Sequence, residues 1–152
     1  MDSELMLDAK TAMMKGNLAE SITIFDRVLE QEPENLMALF SRGTAKFRNN
    51  DFEGALKDFD AYLALNTSNE KVFCSRGNAH MSLDNHEKAM EDFNRSLAIN
   101  PQYPTAYFSR SELFRKMNEI DQAEEDWEVG ERLQKQLSQA YFESQGIMYQ
   151  SF

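Results

Sequence analysis

The chain has 152 residues, 41% of them hydrophobic, with a formal net charge of −10 and a single cysteine. That size suits one globular domain, and neither an apolar run of membrane-spanning length nor a leader-like N-terminus is present, so membrane insertion is not expected. One cysteine leaves no internal disulfide framework, which makes a reducing, cytoplasmic location the expectation.

From the N-terminus, a first group of landmarks reads Leu5-x-x-x-Ala9, Gly16-Asn17-Leu18, Ser21-x-x-x-Phe25 and Pro33. A second reads Leu39-x-x-x-Gly43 and Ala55-x-x-x-Phe59. A third reads Phe73-x-x-x-Gly77, Ala89-x-x-x-Phe93 and Pro101, and a fourth Tyr107-x-x-x-Ser111 and Ala123-x-x-x-Trp127. The spacing between groups is about 34 residues, the length of a two-helix unit that cannot bury its own apolar face and must stack on its neighbours. The chain divides accordingly into units 2–35 (divergent), 36–69, 70–103 and 104–137, followed by 138–152 as a capping helix and tail.

Turn residues agree with this register. Asn49-Asn50-Asp51, Asp84-Asn85 and Asn118-Glu119 fall where each helix pair must reverse, and Pro33 and Pro101 end the second helices of their units. Thr67 stands where the second unit would carry its proline, and the fourth unit has none, so those two second helices have weaker stop signals. After Trp127 and Gly130 the helical spacing continues through Leu133, Leu137 and Ala140-Tyr141, which predicts a helix to about Ser144 and a break at Gly146. Beyond it, Ile147, Met148, Tyr149 and Phe152 are apolar enough to dock, on this chain or on another.

On these residues the chain resembles the tetratricopeptide repeat family over all but about its last fifteen residues. The resemblance implies an all-α, right-handed superhelical solenoid of four helix-turn-helix repeats with an extended C-terminal helix. Gly43, Gly77 and Ser111 would let the two helices of a unit approach, Ala55, Ala89 and Ala123 would do so from the partner helix, and Phe59, Phe93 and Trp127 would fill the seam between units. The resemblance further implies that first helices line a concave groove and second helices form the convex back. In units two to four the first helices carry most of the basic residues, among them Arg42, Lys46, Arg48, Lys71, Arg76, Arg110, Arg115 and Lys116, while the second helices carry the acids. No continuous basic stripe exists, so nucleic acid is not an expected partner.

Helical spacing selects the groove-facing positions. If Leu39, Gly43 and Lys46 meet the second helix, the opposite side of the first helices presents Met6, Lys10 and Met13; Met37, Phe40, Thr44, Phe47 and Arg48; Lys71, Cys74, Asn78 and Met81; and Phe108, Glu112 and Arg115. These are the candidate partner-binding residues. The lining is apolar toward the N-terminus and charged toward the C-terminus, and flexible thioethers suit an adaptable apolar contact. The competing reading packs Phe40, Phe47 and Phe108 into the core. The carboxylate clamp by which some family members grip an acidic chain end needs lysines and asparagines on successive first helices. Asn78 fits one such place, but Met6 and Cys74 stand where lysine is needed.

Catalytic chemistry finds no constellation. His80 and His86 do not share a helix face at ligand spacing, Cys74 and His80 lie about 240° apart around one helix, and no glycine-rich phosphate loop occurs. No enzyme activity, cofactor or metal is expected. The expectation is a protein-interaction adaptor that takes an apolar or mixed apolar–acidic peptide or helix in its groove. A small secretion-type chaperone holding an apolar client, and a structural protein that self-associates through its C-terminal end, stand as alternatives. Arg42, Arg76 and Arg110 recur at one separation from Asp58, Asp92 and Asp126, which predicts structural pairs bridging the helices.

Overall fold

The computed structural model describes residues 2–146, and in them eight α-helices and no strand. The units are helix pairs: α1 (Asp2–Met14) with α2 (Leu18–Gln31), α3 (Leu36–Arg48) with α4 (Phe52–Leu65), α5 (Glu70–Ser82) with α6 (His86–Ile99), and α7 (Pro104–Lys116) with α8 (Ile120–Ser144). Ile147, Met148, Tyr149 and Phe152, and the docking expected of them, lie outside the described residues.

Each pair reverses through a single residue of positive φ at the same place in the repeat: Gly16 (82°), Asn50 (62°), Asp84 (59°) and Asn118 (61°). Glycine carries no steric cost there, and Asn and Asp carry the least among the other residues. The next amide then reaches back over the helix end, from Asn17 to the Ala12 carbonyl, Asp51 to Lys46, Asn85 to His80 and Glu119 to Phe114, at 2.8–2.9 Å. These bonds satisfy carbonyls that the helix end would otherwise orphan. At the far end of each unit the missing proline of unit two proves unimportant. There α4 still stops at Leu65, because the Asn66 side-chain carbonyl accepts bonds from the Ser68 amide and hydroxyl, both 2.8 Å, and offers the chain a turn in place of another helical residue.

The core is a line of aromatic rings set on small residues. Phe25, Phe59 and Phe93 are each at most 1% exposed. A Cβ on Gly43 would stand 2.7 Å from Phe59 Cε1, and one on Gly77 the same distance from Phe93 Cε1, so these glycines are the seats of the rings within their own units. Where serine replaces a small apolar residue at a helix crossing, its hydroxyl is satisfied across the pair: Ser21 donates to the Ala9 carbonyl at 2.9 Å and Ser111 to that of Ala123 at 2.6 Å.

The arginines form a ladder through the stack. Arg42 donates in bidentate fashion to Asp58 (2.9 and 2.6 Å), Arg76 to Asp92 (2.9 and 2.7 Å) and Arg110 to Asp126 (2.7 and 2.8 Å), each within its unit. The third nitrogen, Nη1, reaches into the preceding unit, to Asp26, Asp60 and Asn94, at 2.8 Å each time. One guanidinium therefore joins three helices. For Arg76 the hydrogen bond to Asp92 outweighs burial and raises the pKa further above the usual arginine range, so the charge is fixed.

Consecutive first helices touch one another (α1 with α3, α3 with α5, α5 with α7), whereas among the described residues no two second helices do. Closeness on one side and separation on the other bend the stack, with the first helices inside the curve. The stack ends differently from how it is built. Leu29, Leu63 and Leu97 are buried on the second helices, and one period on the chain places the exposed Glu131, a polar end to the apolar row. Moreover α8 runs 25 residues against 14 for α6, extending about 16 Å further at 1.5 Å per residue. It reaches the expected Ser144, and Gly146 follows at φ 71°. Residues 138–144 are thus the end of α8 and not a separate helix turned back over unit four, and Leu137 and Tyr141 are exposed.

Candidate partner-binding groove

The inner wall is built from α1, α3, α5 and α7. At its N-terminal end Met6 and Met13 are half-buried and Met37 is exposed. Two polar links tie α1 to α3 there: Lys10 Nζ lies 2.8 Å from Met37 Sδ, and Arg48 Nη1 donates to the Met13 carbonyl at 3.3 Å. Between α3 and α5 the wall opens into a slot of about 60 Å³ lined by Thr44, Phe47, Phe59, Ser75 and Asn78. Phe47 is braced from behind by Phe52, ring centroids 5.3 Å apart. The Thr44 hydroxyl donates to the Phe40 carbonyl at 2.8 Å, which spends its proton and leaves its oxygen free to accept.

Not every candidate lies on the surface. Cys74 is 2% exposed, wedged between α5 and α7 with its Sγ 3.8 Å from Ser109 Oγ and 3.9 Å from Asn78 Nδ2. Burial pushes its thiol pKa up to about 11, so it is a neutral packing group and no groove contact. Phe40 is half-buried with its ring 6.1 Å from Phe59 and 6.3 Å from Tyr62, packed down on α4. Phe108 is likewise half-buried, its ring set against Gly130 and edge-on to Trp127 at 4.9 Å. Met81 joins the cluster around Phe93 and Leu97. Arg48, Lys71, Glu112 and Arg115 are exposed, and Asn78 is half-buried at the slot.

Trp127 overturns an expectation. It does not fill a seam as Phe59 and Phe93 do but is 41% exposed, stacked between Phe108 and the Arg115 guanidinium, which lies 5.2 Å from its ring centre. The indole is larger than a phenyl ring, Ser111 occupies the place of the seating glycine, and among the described residues no further unit covers α8. The signal in the sequence was Ser111 in the place of Gly43 and Gly77.

His80 packs at the edge of the core. Its side chain is half-buried on α5 with Nε2 4.0 Å from Asp92 Oδ2, in the place where Lys46 approaches Asp58 at 3.1 Å. Burial lowers its pKa against the pull of Asp92, favouring the neutral ring. Among the described residues no cluster of three or more His, Cys, Asp or Glu is arranged to hold a metal ion, and no helix is long and apolar enough to cross a membrane.

Family profiles described as tetratricopeptide repeat match residues 8–70 and 70–103. The chain belongs to the tetratricopeptide repeat family. Solved structures agree in fold. A crystal structure of MamA protein superposes with a TM-score of 0.78 at 22% identity, over 96% of this chain and 83% of that one. TTC0263, a thermophilic tetratricopeptide repeat protein of Thermus thermophilus, gives 0.81 at 16% identity over 89% and 75%. The first tetratricopeptide repeat domain of Spaghetti (RPAP3), bound to the HSP90 peptide SRMEEVD, gives 0.67 at 25% identity over 82% and 90%. No curated protein matches the chain. As a tetratricopeptide repeat protein it is a protein-interaction scaffold.

Proposed function

We propose that the protein binds a segment of a partner protein along α1, α3, α5 and α7, seating a small aliphatic side chain in the slot between α3 and α5. The slot carries this reading: Phe47 and Phe59 give it apolar walls, while Thr44, Ser75 and Asn78 place hydrogen-bonding groups at its edge. That is the composition of a peptide site, where apolar burial supplies affinity and a few polar atoms fix the backbone. Arg48, Lys71 and Arg115 are exposed cations on the same helices, so a segment mixing apolar and acidic residues fits best. The RPAP3 domain, at 25% identity, is bound to a peptide of that mixed kind. A full carboxylate clamp is not part of the proposal, since Met6 and the buried Cys74 stand where it needs lysine.

Extension of the stack by a second copy is opposed by charge. Glu128 stands one period after Asn94, the acceptor of Arg110, but the first unit of another copy would present Asp8 in the place of the ladder arginine. The groove reading is tested by a photo-crosslinking amino acid at Lys71 or at Glu91 on the back. Adducts with a partner are expected from position 71 and not from 91; adducts from 91 alone would refute it.

A further inference from the structure

A second cavity lies away from the groove, at the junction of units one and two. It is an open hollow of about 430 Å³ lined by Asp26, Leu29, Glu30, Pro33, Leu39 and Arg42. The internal repeats show what belongs in such a place. Leu39 corresponds to Phe73 and Tyr107, which lie over the ladder arginines of their own units: Arg76 Cζ is 5.6 Å from the Phe73 ring centre and Arg110 Cζ 5.7 Å from that of Tyr107. Tyr107 also donates from its hydroxyl to the Pro101 carbonyl at 3.0 Å, and Pro101 corresponds to Pro33. The junction of units one and two has the proline, Pro33, and the arginine, Arg42, but only a leucine between them.

Arg42 spends Nε, Nη1 and Nη2 on Asp58 and Asp26. Three of its five N–H donors, one on each nitrogen, are committed in the guanidinium plane, which leaves the face as the surface that attracts an aromatic ring, as the faces of Arg76 and Arg110 hold Phe73 and Tyr107. We propose that this hollow receives a tyrosine side chain from a basic segment of another protein, its ring over Arg42 and its hydroxyl donating to the Pro33 carbonyl. The basic character follows from the rim: Asp26 and Glu30 line the hollow and Glu34 lies beside it. A second copy of a chain with net charge −10 is the poorer occupant. The site is separate from the groove and does not depend on what binds there.

The test uses the full chain, the peptide acetyl-Lys-Tyr-Lys-amide and its leucine counterpart, followed by NMR at the Arg42 Nε–H and Leu29 methyl signals. The tyrosine peptide is expected to give saturable shifts, with affinity on the order of tenfold above the leucine peptide. Leu39→Tyr should fill the hollow from within, raise Tm and abolish those shifts. Equal binding of the two peptides, no saturable shift, shifts that persist in Leu39→Tyr, or a variant that melts below wild type would each overturn the proposal. A wild-type dimer that dissociates on Leu39→Tyr would assign the hollow to a second copy instead and overturn it equally.

Discussion

Replacing Arg76 by alanine is expected to lower stability by about 3 kcal/mol, the lower end of the range for breaking a buried ion pair. The cost arises at Asp92, whose side chain is 4% exposed and would be left without its bidentate partner. Asp60 accepts from the same guanidinium but is 62% exposed, so water replaces what it loses. Asp60→Ala should therefore cost under about 1 kcal/mol. Urea unfolding of the two variants checks this, and equal losses would mean that the ladder acts between units as strongly as within them.

Truncating Phe93 to alanine should be severe, on the order of 3–5 kcal/mol, because its ring is fully buried against Gly77, which has no side chain to fill the space. Trp127 occupies the corresponding position one unit later and is the larger residue. Its removal should nonetheless cost about 1 kcal/mol, the worth of an exposed aromatic pair and a cation–π contact. Thermal or urea denaturation separates the two cases. A tryptophan variant as unstable as the phenylalanine variant would show that the indole is part of the core after all.

The contrast between these two residues shows where the sequence is legible. Landmarks that depend on one helix pair can be read from spacing alone: the reversal at Asn50, Asp84 and Asn118, the seats at Gly43 and Gly77, and the arginine–aspartate pairs all follow from local geometry repeated along the chain. The inter-unit bonds to Asp26, Asp60 and Asn94 obey the same period, but their partner lies on another unit and helical spacing does not point to it. Cys74 was misplaced for a related reason. The side of α5 that turns away from α6 is partly covered by α7, and the packing of one first helix on the next is set by the curvature of the whole stack. Phe40 and Phe108 sit between the two readings, half-buried on their second helices while still on the groove side. The slot at Phe47 and Asn78 was legible only as separate residues, since its walls come from three helices.

The central claim is that partners bind the inner wall and not the acidic back, and charge reversal on each face tests it most directly. Lys71→Glu with Arg115→Glu alters two exposed side chains of the groove helices, and Glu91→Lys with Glu125→Lys alters two exposed side chains of the back. All four sites are exposed, so helicity should hold in both double variants, and the groove variant should lose no more than the Arg115–Trp127 contact, under about 1 kcal/mol. Affinity for a partner captured by the wild-type protein, measured by calorimetry, is expected to fall at least tenfold in the groove variant and to stay within about twofold in the back variant. Loss of binding in the back variant with the groove variant unaffected would contradict the account.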